Sequence, residues 1–276
     1  GASPVFEWNT AIDGRPTSIG AYNTPGSAAA IAISGTTAYV ADGTYGLQII
    51  DVSNPSEPAL LGTYDTRIAH GVAISGTTAY VAAGRYGLWI IDVSSPAVPT
   101  RLGTYSTPDY ALGVAVSGTS AYVADGTSGL QIIDVSNPAV PALLGAYDTP
   151  GPARAVAMSG TTSYVADDAS GLQIIDVSDP AAPVLLGTYD TSGSARDVAI
   201  SGTTAYVADD DFGLRIIDAW NTTAPVLLGT HETRSDALDV AISGTTAYVA
   251  NSYLGLRIID VSNPSAPVLL GTYDTQ

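Results

Sequence analysis

The chain has 276 residues, of which 26 are acidic, 9 are basic and none is cysteine, and its formal net charge is −17. So acidic a surface repels phosphate groups, which disfavours nucleic acid and anionic membranes as partners, and no apolar run is long enough to insert into a bilayer. The absence of cysteine excludes thiol catalysis, disulfides and zinc–thiolate sites.

The chain begins with a segment that does not belong to a complete repeat. We predict an N-terminal extension over residues 1–17 and a single main domain over residues 18–276. Residues 19–24 read IGAYNT and are similar to LLGTYDT, the last strand of every later repeat. The chain therefore holds seven copies of this strand signal but six of the others. Two arrangements stay open: one copy lies outside its neighbour as a fifth strand, or one copy frays.

The main domain consists of six copies of a unit of about 42 residues. Its segment SGTTAYVA, with two single-residue changes, begins at Ser34, Ser75, Ser117, Ser159, Ser201 and Ser243. Each unit carries four strand signals, here called A to D, for example at residues 71–74 (A), 38–41 (B), 47–52 (C) and 59–64 (D). Tight Ser-Gly-Thr-Thr turns join A to B, Gly-rich turns join B to C, and prolines end strand C.

The strands read as nearly continuous apolar runs, such as LQII and AYVA. An antiparallel sheet with one wet face would alternate apolar and polar residues, so these sheets are expected to be buried on both faces. Four short strands in a unit of this length are typical of a propeller blade. The predicted fold is all-β: a six-bladed β-propeller of four-stranded antiparallel blades, with the six units forming a ring.

The segment LQIIDVSNP followed by LLGTYDT resembles the LVIVD-repeat family, which is named for its apolar strand ending in aspartate. Here that strand ends at Asp51, Asp92, Asp134, Asp176, Asp218 and Asp260. The resemblance implies a propeller of cell-surface or secreted proteins, so we expect an extracellular or cell-surface location. It implies neither a common activity nor a catalytic motif.

The two rims of such a propeller differ strongly in sequence. The A–B and C–D turns lie on one rim, which is nearly constant apart from the change at Trp220. The B–C turns and the D–A crossovers lie on the other, which we call the variable rim. Twelve of the 16 tyrosines occupy repeated strand positions, and the remaining four lie on the variable rim with five of the nine arginines. Tyrosine and arginine often anchor interfaces, although unconstrained loops also drift in sequence.

We therefore predict that the variable rim binds a protein or a glycan, and that the protein acts as a monomer. The predicted ligand-binding residues are Tyr45, Arg67, His70, Arg85, Tyr86, Tyr110, Arg154, Arg196, Asp197, Phe212, Arg234, Asp239 and Tyr253.

Acidic residues near the axis allow a second interpretation. The YVAD acids Asp42, Asp125, Asp167 and Asp209 form a predicted ring that could hold calcium, whose ligands are carboxylates and carbonyls. The favoured interpretation is structural: each carboxylate accepts hydrogen bonds from its own B–C turn. Arg154, Arg196, Asp197 and Asp239 are expected to pair with one another around the channel. We accordingly predict no metal site and no cofactor.

Catalytic chemistry is sparse in the sequence. The only two histidines are His70 and His231, and no serine lies in a nucleophile-elbow motif. We predict a non-catalytic binding scaffold. The alternatives are a hydrolase or lyase that uses Asp197 and Asp239 at the channel mouth, and a spacer module of a larger surface protein.

Overall fold

The computed structural model describes residues 16–275, so the proposed extension of residues 1–17 lies almost wholly outside the described residues. The predicted all-β, six-bladed propeller of four-stranded antiparallel blades is confirmed. The short 3-10 helix Ser252–Leu254 is the only helix in the described part of the chain. None of these residues forms a helix that is long and apolar enough to cross a membrane.

Each blade is a separate antiparallel sheet whose strands A to D follow the order of the chain. From blade 1 to blade 6, strand A of each blade contacts strand A of the next, which places the A strands nearest the axis. Blades 1 to 3 comprise β1 (Ala30–Ser34), β2 (Thr37–Ala41), β3 (Leu47–Asp51), β4 (Ala59–Tyr64); β5 (Gly71–Ser75), β6 (Thr78–Ala82), β7 (Leu88–Asp92), β8 (Thr100–Tyr105); β9 (Gly113–Ser117), β10 (Ser120–Ala124), β11 (Leu130–Asp134), β12 (Ala142–Tyr147). Blades 4 to 6 comprise β13 (Ala155–Ser159), β14 (Thr162–Ala166), β15 (Leu172–Asp176), β16 (Val184–Tyr189); β17 (Asp197–Ser201), β18 (Thr204–Ala208), β19 (Leu214–Asp218), β20 (Val226–His231); β21 (Ala237–Ser243), β22 (Thr246–Asn251), β23 (Gly255–Asp260), β24 (Val268–Tyr273).

The core lies between neighbouring blades rather than inside one sheet. Tyr39 and Leu47 on one face of blade 1 pack against Val81 and Ile91 on the facing side of blade 2. Alternate residues of a strand point to opposite faces, so each central strand contributes to two such cores. This double burial explains why the strand sequences are continuously apolar.

The same side-chain-to-backbone hydrogen bond occurs at the end of strand C in every blade. The carboxylate of Asp51 accepts a hydrogen bond from the backbone N–H of Ser53 at 2.8 Å, and the other five blades have the same bond. This bond lowers the pKa of Asp51. This aspartate therefore caps the C–D turn in all six blades.

The junction between blade 6 and blade 1 differs from the other five junctions. Residues 16–24 form no strand, and β24 alone is the fourth strand of blade 6. Pro16 lies against Gly271 of blade 6, whereas Gly20 lies against Pro55 in the C–D turn of blade 1. The extra copy of the strand D sequence therefore lies between blades 6 and 1, and it is neither a fifth strand nor the outer strand of blade 6.

Candidate binding rim

The backbone brings the two kinds of variable loop together. The N–H of Ala69, in the crossover from blade 1 to blade 2, donates to the carbonyl oxygen of Gly43 at 2.8 Å, and the N–H of Gly43 donates back at 3.1 Å. Similar bridges join Gly84 to Ala111 and Gly126 to Ala153. The B–C turns and the D–A crossovers therefore share one rim, as the strand order predicts. Tyr45, Tyr86, Tyr110 and Tyr253 all lie there.

Two arginines flank Tyr86 on this rim. The guanidinium of Arg85 lies 4.9 Å from the centre of the Tyr86 ring, and its Nη2 donates a hydrogen bond to the phenol oxygen at 2.8 Å. The guanidinium of Arg67, from the preceding crossover, lies 5.0 Å from the centre of the same ring. The hydrogen bond from Arg85, followed by the effect of Arg67, lowers the pKa of Tyr86. Arginine stacked on a tyrosine face is a cation–π contact, which adds a modest stabilisation at an exposed site.

The neighbouring residues extend this cluster. Tyr110 is 49% exposed and interacts electrostatically with Arg85. His70 lies against Gly84, and its burial lowers the pKa of the imidazole. We call Arg67, His70, Arg85, Tyr86 and Tyr110 the basic patch. Among residues 16–275, no carboxylate lies within ion-pair distance of Arg67 or Arg85. The patch therefore presents positive charge on a strongly acidic protein.

The backbone of the crossover positions Arg67. This residue has φ +68°, and its N–H donates a hydrogen bond to the Asp65 carboxylate at 2.7 Å. Ser192 and Arg234 hold the same left-handed conformation at the equivalent positions of other crossovers. Aspartate two residues earlier can satisfy the backbone of such a turn. The equivalent residues in the crossovers to blades 3 and 4 are Pro108 and Pro150, so three crossovers share this left-handed conformation and these two do not.

Arg154 and Arg196 have partners other than those expected. Arg196 Nη2 lies 2.6 Å from Asp210 Oδ2, and Arg154 Nε donates to Asp168 Oδ2 at 2.8 Å. The expectation that these arginines pair with Asp197 and Asp239 is therefore wrong. Asp168 and Asp210 directly follow the buried YVAD aspartates of blades 4 and 5. Blades 1 to 3 have glycine at this position, and the two aspartates and the three glycines all have positive φ. Each arginine must break its ion pair before it can bind a ligand through both of its donor edges.

Asp197 and Asp239 pair with each other across the junction between blades 5 and 6. Asp197 is the first residue of β17, and its Oδ2 accepts a hydrogen bond from the N–H of Val240 at 3.0 Å. Burial, together with the charge of Asp239, raises the pKa of Asp197 to about 8. Burial also raises the pKa of Asp239. Because the charge of Asp239 opposes the ionisation of Asp197, the pair holds a proton near neutral pH.

The remaining predicted residues lie on blades 5 and 6. The ring of Phe212 is exposed and lies under the guanidinium of Arg215 at 5.2 Å. Arg215 Nε in turn contacts the buried carboxylate of Asp209 at 3.0 Å. Arg234 lies in the crossover to blade 6, and Tyr253 lies in the 3-10 helix with most of its side chain exposed. These residues are separated in the fold from the basic patch.

The YVAD aspartates are buried and bind the incoming crossover. Asp42 accepts hydrogen bonds from Thr24 Oγ1 at 2.7 Å and from the N–H of Gly26 at 2.9 Å. Asp167 likewise accepts from the N–H of Gly151 at 2.8 Å. Their role is structural as expected, but the donors belong to the crossover rather than to their own B–C turn. Within the described part of the chain, no three His, Cys, Asp or Glu side chains are grouped so that they could hold a metal ion.

Trp220 is the exposed aromatic that the predicted site omits. It lies in the C–D turn of blade 5, on the nearly constant rim, and is 78% exposed. The sequence could have indicated this residue, because blade 5 has Ala219-Trp220 where the other blades have Val-Ser. It offers a matched comparison for substitutions on the variable rim.

Comparison with known proteins agrees with this description. The model of the LVIVD repeat matches residues 25–66, 67–107, 108–149, 150–191, 192–233 and 235–275. No curated protein sequence matches the chain significantly.

Among solved structures, the WD40 repeats of RRP9 have a TM-score of 0.73 at 12% identity, covering 92% of this chain and 83% of that one. The Cps50 (Swd1) β-propeller domain of Myceliophteria thermophila has a TM-score of 0.73 at 14% identity, covering 92% and 89%. The computationally designed Ika8 protein has a TM-score of 0.68 at 10% identity, covering 87% and 73%. At these identities the likeness concerns the fold alone.

Proposed function

The chain belongs to the LVIVD-repeat family, and from that premise we propose that it is a non-catalytic binding scaffold whose variable rim binds a protein or a glycan. We further propose that it acts as a monomer outside the cell or at a cell surface. The observation that carries the proposal is the basic patch. It gathers two exposed arginines and two tyrosines on one rim of a protein with a net charge of −17.

The chemistry of the patch restricts the ligand. Arg67 and Arg85 have no carboxylate within ion-pair distance among residues 16–275, so their remaining donors face solvent. Guanidinium groups bind carboxylates and sulfates through paired hydrogen bonds, and aromatic rings supply rigid contact area. We therefore expect an acidic glycan or an acidic stretch of a protein. The acidic remainder of the surface would keep the bound group at the patch.

Replacement of Tyr86 by alanine tests the rim. Glycan and protein arrays first identify a ligand, and isothermal titration then measures its affinity. We expect Tyr86→Ala to weaken binding at least tenfold, which corresponds to about 1.4 kcal/mol, because both arginines lose the ring that positions them. Tyr110→Ala should weaken binding to a smaller extent, and the melting temperature should stay near that of the parent.

Trp220→Ala is the matched control, since it removes an exposed aromatic from the opposite rim. It should leave the affinity unchanged. A loss of binding in Trp220→Ala with full binding in Tyr86→Ala would overturn the assignment of the rim. A chain that captures nothing on either array would favour the spacer alternative.

The proposed binding involves no metal ion, and chelation tests this point. We expect a calcium chelator to change neither the melting temperature nor the affinity for the ligand. Each buried YVAD carboxylate already accepts a hydrogen bond from a crossover, although Oδ1 of Asp125 and Oδ1 of Asp167 have no partner among the described residues. A lower melting temperature after chelation would instead place an ion in the acidic ring.

A hydrolase that uses Asp197 and Asp239 is less consistent with the geometry. Glycoside cleavage needs carboxyl groups about 5–5.5 Å apart for retention or about 6.5–9.5 Å apart for inversion. Asp197 already accepts a hydrogen bond from the N–H of Val240, and both carboxyls are partly buried at the junction of blades 5 and 6 rather than open at the channel mouth.

A further inference from the structure

The C–D turn of blade 5 differs in sequence from the other five C–D turns. It reads Asn221-Thr222-Thr223, whereas the other blades have proline at the second of these positions: Pro55, Pro96, Pro138, Pro180 and Pro264. Asparagine, then any residue except proline, then serine or threonine is the acceptor pattern for asparagine-linked glycans. None of the other six asparagines in the sequence meets this pattern.

The C–D turns of blades 1 and 6 fail the pattern at one residue only. They read Asn54-Pro55-Ser56 and Asn263-Pro264-Ser265, so each has the asparagine and the hydroxyl but carries proline between them. In blades 2 to 4 the third residue is alanine, at Ala97, Ala139 and Ala181. The complete pattern therefore occurs in blade 5 alone, and blades 1 and 6 supply closely matched turns for comparison.

The backbone of the blade 5 turn is the same as in the other blades although it lacks the proline. A Cβ atom added to Gly187 would lie 2.2 Å from the carbonyl oxygen of Thr222, and the equivalent distances to the proline carbonyl oxygens of the other five blades are 2.0–2.3 Å. The N–H of Ala224 donates to the carbonyl oxygen of Asn221 at 3.0 Å, and the other five turns have the same bond. Proline would hold this conformation at a lower cost in chain entropy, so stability does not explain the threonine.

The amide group of Asn221 is exposed and oriented by its own turn. Thr223 Oγ1 donates a hydrogen bond to Asn221 Oδ1 at 2.9 Å, which fixes the plane of the amide. In the part of the chain that the structure describes, Asn221 Nδ2 donates no hydrogen bond, whereas Asn54 Nδ2 donates to Glu57 Oε2 at 3.4 Å. The nitrogen of Asn221 can therefore exchange one hydrogen for a sugar without losing a contact to these residues.

The position of this turn on the propeller suits a bulky attachment. Asn221, Thr223 and the neighbouring Trp220 are all exposed, and they lie on the nearly constant rim. A glycan is large and hydrated, so the folded protein must leave space around the asparagine that carries it. On this rim a glycan stands opposite the basic patch and leaves the proposed binding surface open.

We propose that Asn221 is the acceptor of an asparagine-linked glycan. In the reaction, Asn221 Nδ2 attacks C1 of a sugar that is activated as a polyprenyl diphosphate ester. The new C1–N bond replaces the bond between C1 and the diphosphate oxygen, the nitrogen loses one proton, and the polyprenyl diphosphate leaves. Exported chains meet the enzymes of this transfer, so the inference rests on the location proposed above, outside the cell or at a cell surface.

Secretion of the chain from a eukaryotic host that attaches such glycans tests the acceptor. Intact mass spectrometry should show one glycan on the parent, which peptide N-glycosidase should remove. Because that enzyme converts the modified asparagine to aspartate, peptide mass spectrometry then locates the change at position 221. Asn221→Gln and Thr223→Ala should both be secreted without the glycan. A parent that lacks the glycan, or an N-glycosidase-sensitive glycan that persists in Asn221→Gln, overturns the proposal.

Substitutions at the proline position give the matched controls, since they change the acceptor pattern and keep the asparagine. Thr222→Pro gives blade 5 the residue of the other blades, so it should fold normally and lose the glycan. Pro264→Thr should add a second glycan at Asn263, which is exposed and whose Oδ1 already accepts a hydrogen bond from Ser265 Oγ at 2.8 Å. A glycan on Thr222→Pro, or none at Asn263 in Pro264→Thr, would contradict the proposal.

Protein purified from its natural source gives the second measurement. The peptide that contains Asn221 should carry a glycan there as well. An unmodified natural peptide overturns the proposal, and fractionation of the same cells shows whether the proposed location fails with it. Neither measurement involves a ligand of the variable rim, so an empty array screen and an unmodified Asn221 are distinguishable results.

Discussion

Replacing Gly103 by alanine is expected to lower the free energy of unfolding by about 3 kcal/mol, at the upper end of the cost of overpacking a core. A Cβ atom at this position would lie 2.0 Å from the backbone carbonyl oxygen of Pro138 in the C–D turn of the next blade. A backbone oxygen cannot turn away as a flexible side chain can, so two blades must separate. The same contact recurs at Gly62, Gly145, Gly187 and Gly229. Urea unfolding followed by tyrosine and tryptophan fluorescence measures the change.

The matched control for this substitution is Gly118→Ala. Gly118 lies in an A–B turn with φ +59°, and no atom lies within 4 Å of an added Cβ. Its cost should be limited to the left-handed backbone, about 1–2 kcal/mol. If Gly118→Ala proves more destabilising than Gly103→Ala, backbone conformation rather than the approach of neighbouring blades explains the repeated glycines.

Asp197→Asn is expected to stabilise the protein at pH 8 by about 2 kcal/mol and to make its stability less dependent on pH. Burial and the charge of Asp239 raise the pKa of Asp197 to about 8 in the folded state, against an ordinary value near 3.8. Between these values the folded protein holds a proton that the unfolded chain releases. The free energy of unfolding therefore falls as pH rises through this window, by at most about 1.4 kcal/mol per pH unit for one proton.

An asparagine at position 197 keeps an oxygen that can accept the hydrogen bond from Val240 and removes the repulsion between the two carboxylates. Melting temperatures measured from pH 4 to pH 9 should therefore nearly coincide for the variant and the parent at pH 4, separate progressively as the pH rises to about 8, and differ by a constant amount above that. Asp211→Asn, at an exposed acid in the B–C turn of the same blade, is the control and should follow the parent. Parallel curves for Asp197→Asn and the parent would show that the carboxyl pair does not share a proton.

Much of the architecture could be predicted from local sequence. The recurrence of SGTTAYVA set the number of complete blades, and the prolines after Asp51 and its equivalents ended strand C where the structure ends it. The sorting of the four additional tyrosines onto one rim also followed from strand order alone. These features depend on a period of two along a strand and on turn chemistry, both of which act within a few residues.

The partners of individual charged side chains could not be predicted in this way. Arg154 donates a hydrogen bond to Asp168. Asp42 accepts a hydrogen bond from Thr24 of the incoming crossover rather than from its own B–C turn. The basic patch combines Arg67 with Tyr86, from loops of different blades. Residues 14 to 19 positions apart meet in these contacts because each crossover lies beside the B–C turn of the blade that it enters.

The amino-acid sequence by itself determined the repeat, the four strands of each blade and the division into a constant and a variable rim. Only the tertiary structure decided which charges are paired, that Asp197 and Asp239 meet across a junction, and that the segment before blade 1 lies between blades 6 and 1. The physical reason is range. Strand and turn propensities are properties of neighbouring residues, whereas burial and ion pairing arise where blades meet, and their geometry depends on how all the sheets are placed around the axis.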